Sequence, residues 1–241
     1  MRTAWPTACS RRGRKSRWSN VDGVAARIVD ELPFAFGWIA PQPRFMQRCS
    51  HAVAAGGRVW VIDPVADDAA LDRVLALGEP GGVVQLLDRH ARDCALVAEQ
   101  LGVPHYAVPD EPPQGAPFEI LPVLHWKRWH EVALWFPEER TLAVAEALGT
   151  AQFYRAPSER LAVSPLQRLV LPRSLLAVEP EHILVGHGEG VHEDAIAALR
   201  DAIAHARSRA PAWFWAGLRA HGPFGTHRRR ATPEEAPSRD S

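Results

Sequence analysis

Apolar positions along the chain follow two rhythms that take turns. RVWVID (58–63) is a run of β-branched and aromatic residues of strand type, and ADDAALDRVLAL (66–77) repeats its apolar residues at helical spacing. Asp67 and Asp68 stand in the first turn of that helix, where carboxylates complement the positive end of the helix dipole. GEPGG then breaks the chain before VVQLL (83–87), a second strand, and Ala95, Leu96, Val97, Ala98 and Leu101 mark a helix stopped by Gly102 and Pro104. A strand, helix, strand unit of this kind predicts parallel pairing of the two strands.

The middle of the chain changes character. FEILPVL (118–124), EVALWF (131–136) and TLAVAEAL (141–148) are short strand-like runs, the last two joined by the turn-like PEER, and they predict an antiparallel meander. SPLQRLVLPRSLLAVEP reads as a helix interrupted near Pro172. HILVGHGEG is a short strand entering a glycine-rich turn, followed by a helix from about Glu193 to Arg207. Parallel units flanking a meander imply an α/β protein with mixed sheets and helices outside.

Composition adds bounds. With 241 residues, 46% apolar and 23% charged, the chain suits one ordinary globular domain. Lys plus Arg (28) balances Asp plus Glu (28), so no overall field attracts nucleic acid or an anionic membrane, and neither is expected as a partner. The basic arm at 1–20 and the polar tail at 223–241 are expected to be disordered around a folded domain at 21–222. Arg11 and Arg12 form a twin arginine without a following apolar stretch, and no run of eighteen apolar residues occurs, so neither export nor a spanning helix is expected. Cys9, Cys49 and Cys94 are odd in number and scattered, unlike a disulfide framework, and a cytoplasmic location is the expectation. AWFWAGL is expected to pack back as an aromatic lid, the alternative being an exposed patch and dimer contact.

Polar residues gather at strand ends: Arg89 to Cys94 after VVQLL, Glu146 within TLAVAEAL, and His187 after HILVG. Sites in α/β proteins favour the carboxyl ends of strands, where loops converge. Asp63, ahead of Pro64, reads as a turn-capping aspartate, and His182, His192 and His205 as surface residues. Cys94, near a helix start and beside Arg92, admits a reading as a nucleophile against a blander one as a small buried hydrophobe.

The succession VWVIDP, LLDRHARDC, HWKRWHEVALWFPEERTLAVAEALG and ILVGHGEGV resembles the metallo-β-lactamase superfamily in order and spacing across most of the folded region. The resemblance implies a four-layer αββα sandwich with two mixed sheets. The family's His-x-His-x-Asp-His motif falls on Arg89 to Cys94, which puts Arg89 and Ala91 in place of the first two histidines, with the third near Lys127 or, by a shift of register, at His125 or His130. An arginine cannot donate an electron pair to a metal and a protonated lysine cannot either, so that metal site is expected to be lost. The second metal site maps onto Asp93, Cys94, Glu146 and His187, all competent zinc ligands. The resemblance thus implies a fold of metal-dependent hydrolases without dinuclear hydrolysis. The pocket is expected to be lined by Arg89, His90, Asp93, Lys127, Glu146 and His187, to need no cofactor, and to bind a small anionic ligand. The alternative is one zinc or iron ion and hydrolysis of a small ester, lactone or thioester.

Overall fold

The computed structural model describes residues 25–41, 46–127 and 129–221. The expected arm at 1–20 and tail at 223–241, with Cys9, lie outside them.

The chain opens with β1 (Arg27–Leu32), β2 (Ala35–Ile39), β3 (Cys49–Ala55) and β4 (Arg58–Ile62), then α1 (Asp68–Leu77), β5 (Pro80–Gln85), α2 (Cys94–Leu101) and β6 (His105–Ala107). These strands form one six-stranded sheet in sequence order, antiparallel from β1 to β4 and parallel from β4 to β6. The parallel pairing of RVWVI with the strand containing VVQ agrees with the reading of the sequence. β7 (Glu119–Trp126), β8 (Trp129–Phe136) and β9 (Thr141–Val144) make the meander. β10 (Leu148–Gly149) pairs with β11 (Ala162–Val163). β12 (His182–Val185) completes the second sheet, parallel to β9, in the order β12-β9-β8-β7. α3 (Ala195–His205) and α4 (Ala210–His221) follow.

Three apolar layers hold these parts together. Val84, Leu86, Trp60, Leu134, Phe136 and Leu184 meet between the two sheets. Val61, Val83, Val74 and Val97 join the outer face of the first sheet to α1 and α2. Leu142, Val185, Leu199 and Ile203 join the second sheet to α3. Each fully buried Leu, Ile or Val contributes on the order of 2 kcal/mol of transfer free energy, so the sandwich is held by these layers. Helix ends follow local chemistry. The Asp67 carboxylate accepts from Ala70 N (3.0 Å) at the start of α1, and Gly102 takes the left-handed conformation (φ 68°) that ends α2.

Two expectations need correction. Residues 164–180 form two short 3-10 turns, Pro165–Gln167 and Arg173–Ala177, where an interrupted helix was expected. Pro165 and Pro172 remove donors, and Leu166, Leu169 and Val170 are exposed, so no continuous apolar face anchors a helix there. AWFWAGL lies in α4 and divides between its two readings: Trp213 Nε1 donates to Phe153 O (2.7 Å), while Phe214 and Trp215 are 55% and 60% exposed. No helix among the described residues is long and apolar enough to cross a membrane.

Candidate functional site

Strands β5, β9 and β12 deliver one side chain each, just past their carboxyl ends, to a common point. His90 follows the extension of β5 through Leu87, Glu146 follows β9 and His187 follows β12. One potential ligand atom from each lies within 4.8 Å of the others. The His90 and His187 ring centres are 5.4 Å apart, and His90 Nε2 is 3.8 Å from Glu146 Oε2.

Each imidazole is fixed from behind. His90 Nδ1 lies 2.9 Å from Asp63 Oδ2, and Asp63 Oδ1 accepts from Leu86 N (2.8 Å). Burial alone would raise the Asp63 carboxyl, but the bond from His90 and the neighbouring charges of His90 and Arg92 outweigh it and hold the group below its usual range. An ionised carboxylate only accepts, so Nδ1 of His90 carries a hydrogen toward Asp63 and Nε2 lies on the Glu146 side. His187 Nδ1 donates to Met46 O (2.9 Å). Burial, reinforced by the Arg92 guanidinium, lowers His187 to about 3, so its ring is neutral with a free Nε2 lone pair. Tyr154 stacks on His187 (ring centres 5.5 Å apart) and Phe153 meets it edge-on at 5.7 Å.

Glu146 is set by its backbone. Buried Glu131 accepts from Glu146 N (2.7 Å), Ala147 N (2.6 Å), Trp129 Nε1 (3.1 Å) and Gln167 Nε2 (2.8 Å). Burial raises the Glu131 carboxyl to about 6 against these four donors, which favour the charged form. Gly186 lets the β12 end approach the β9 end closely: a Cβ there would sit 2.2 Å from Ala145 O. Arg89 lines the rim, 46% exposed, with Nη2 3.6 Å from Glu146 Oε2 and its guanidinium 3.9 Å above the Trp129 ring.

The remaining expected site residues are elsewhere. Asp93 Oδ2 accepts from Ala66 N (2.9 Å). Cys94 is fully buried among Val61, Val83 and Val97, and burial pushes its thiol up, so neither a ligand nor a nucleophile faces the site from that position. Lys127 is exposed in the turn between β7 and β8. Asp63 does more than cap a turn, since it orients His90, and His192 is bonded to Asp30 rather than solvated. Sequence reasoning set Arg92 only beside Cys94 and missed its role in the fold, where its guanidinium donates to Cys49 O (2.5 Å), Asp63 O (2.8 Å) and Gly186 O (3.0 Å). It also missed Glu131. No spacing rule marks either one; the only signal for Glu131 is a carboxylate in an otherwise apolar strand.

Two further groups of potential metal ligands occur among the described residues: Asp30, Cys49 and His51, and Asp110, His125 and His130. His125 and His130, offered by the sequence as replacements for a lost ligand, belong to the second group and not to the strand-end cluster.

Solved structures share this architecture at low sequence identity. A metallo-β-lactamase from Pontibacter korlensis superposes with a TM-score of 0.54 at 10% identity, covering 74% of this chain and 99% of the other. The fold is that of the metallo-β-lactamases. DIM-1 metallo-β-lactamase matches at 0.50 and 13% identity over 78% of this chain and 98% of its own. A fragment of diflavin flavoprotein A 5 from Nostoc sp. matches at 0.55 and 10% identity over 79% and 98%. No family model matches the sequence, and no curated protein matches it. Within this metallo-β-lactamase fold, the strand-end cluster is a metal-capable group of two histidines and a glutamate.

Proposed function

We propose that the chain is a divergent member of the metallo-β-lactamase superfamily that has lost dinuclear hydrolysis and keeps, at the strand ends, a place for one divalent ion on His90, Glu146 and His187. The observation that carries this reading is the state of the two imidazoles: each spends Nδ1 on a fixed acceptor and leaves Nε2 toward the shared point. Carboxylate or carbonyl support behind a histidine is the usual arrangement for a metal ligand, and two histidines with one glutamate is a known catalytic zinc set.

An ion held there would supply Lewis acidity, lowering the pKa of water toward about 7 and polarising a carbonyl, which fits hydrolysis of a small ester, lactone or thioester. The protein's own groups do the rest. Asp63 and the Met46 carbonyl keep both rings oriented, Glu131 holds the Glu146 backbone, and Phe153 and Tyr154 keep water off one side of His187. Arg89, half exposed at the rim, is placed to receive a carboxylate or the negative charge that develops on an acyl oxygen.

A second reading rests on the proximity of Arg89 to Glu146: the guanidinium neutralises the carboxylate in place of a metal, and the pocket binds a small anion without catalysis. Elemental analysis of the purified full-length protein and its His187→Ala variant separates the two. The hydrolase reading expects the variant to lose one equivalent of metal and chelation to abolish esterase, lactonase or thioesterase activity. Equal metal content in both proteins overturns it and leaves the anion site.

A further inference from the structure

We propose that Asp30, Cys49 and His51 form a second, structural metal site for a divalent ion of the zinc class, buried between β1 and β3 and separate from the strand-end cluster. His51 Nε2 lies 3.4 Å from Cys49 Sγ and 3.3 Å from Asp30 Oδ2. One ring nitrogen carries either one hydrogen or one lone pair along one direction, so it cannot bond well to a thiol and a carboxylate together. Both separations are also long for charge-assisted hydrogen bonds, which run about 2.7–2.9 Å. They match the edges of a coordination tetrahedron: sulfur at about 2.3 Å and nitrogen or oxygen at about 2.0–2.2 Å from zinc stand roughly 3.3–3.6 Å apart.

The surroundings prepare the three donors. Asp30 sits in an irregularity of β1, with φ 53°, and strand irregularities re-aim side chains. Its Oδ1 is held by Gly190 N (2.8 Å) and His192 Nε2 (3.0 Å), which leaves Oδ2 to the cluster. Support of this kind behind a ligand oxygen is characteristic of metal sites. Gly37 keeps the adjacent position free: a Cβ there would come within 2.9 Å of His51 Cδ2 and 3.1 Å of Asp30 Oδ2. All three donor side chains are almost wholly buried. A dication with one carboxylate, one thiolate and one neutral imidazole sums to zero charge, which suits an interior position. Binding releases the thiol proton to solvent as the sulfur–metal bond forms, with no change of oxidation state. Because Gly190 and His192 follow β12, the ion would fasten β1 and β3 of the first sheet to the β12–α3 connection of the second.

Cobalt(II) tests this without relying on the other site, whose donors include no sulfur. Full-length protein produced in cobalt-supplemented minimal medium is expected to show a near-ultraviolet thiolate-to-cobalt charge-transfer band. The band should persist in His187→Ala and in a Cys9→Ser/Cys94→Ser double variant, and vanish in Cys49→Ser. A band that survives Cys49→Ser, or no band in the cobalt-grown parent, overturns the proposal. If Cys49→Ser does not fold, zinc-edge X-ray absorption of the zinc-grown parent decides. One sulfur neighbour at about 2.3 Å in the zinc of His187→Ala supports the site, and a shell of nitrogen and oxygen only, or no bound zinc, refutes it. Loss of metal from His187→Ala with the sulfur signal intact confirms both sites, whereas failure of either signal alone identifies which reading is wrong.

Discussion

Residues 88–94 have two sides with different fates. Arg89 and His90 face the strand-end cluster, His90 with a nitrogen to spare and Arg89 at the rim. Arg92, Asp93 and Cys94, two to four residues later, are used up within the fold: three backbone carbonyls take the guanidinium, Ala66 N takes the carboxylate, and the apolar layer under α2 takes the thiol. The facing sheet repeats the division, with Glu131 holding and Glu146 held. A residue able to bind a metal joins a site only if the backbone has not already claimed its polar atoms, and the two halves of this loop fall on opposite sides of that condition.

The contrast can be broken experimentally, starting where the expected effect is largest. Arg92→Ala strips charged donors from three inward carbonyls and is expected to cost about 3–5 kcal/mol in denaturant unfolding. A loss under about 1 kcal/mol would move Arg92 to the acting side. Glu131 comes next. Its folded pKa is raised to about 6 from 4.5, so its contribution is fully present below pH 4.5 and is lost as pH rises through about 6, roughly 2 kcal/mol in all. Parent stability should carry that downward component between these values, and the difference from Glu131→Gln, measured by unfolding across pH 4–7, should isolate it. Asp93→Ala removes one bond to Ala66 N and should cost about 1–2 kcal/mol while leaving metal content unchanged; loss of metal would return Asp93 to the site. Arg89→Ala gives up an exposed stacking contact with Trp129 and should change stability by at most about 1 kcal/mol. Its effect belongs in KM for negatively charged substrates, and an unchanged KM would remove Arg89 from the pocket.

Much of the fold was legible because its central strands and helices keep clear periods: RVWVI, VVQ, EVALWF and HILV are dense in β-branched or large apolar residues. β1 to β3 were not. CSHAVAA is rich in small residues of low strand preference, Gly37 interrupts AFGWI, and the irregularity at Asp30 interrupts the alternation of RIVDEL. Gly56-Gly57 between β3 and β4 was the hairpin signal on offer. Of the candidate site, His90, Glu146 and His187 were readable as polar residues after strands. That Asp93 and Cys94 turn away was not, since the direction of a loop side chain follows from its hydrogen bonds, here with Ala66 N and, for the thiol, His90 O. Asp63 was readable as a turn residue but not as a partner of His90, which lies 27 positions along the chain.

The contact at Gly186 carries a consequence for how such a chain changes over generations. The spacing of Glu146 and His187 is set where two main chains nearly touch, with no side chain between them to grow or shrink. Side chains at neighbouring positions can therefore change while the bite of this carboxylate–imidazole pair stays constant.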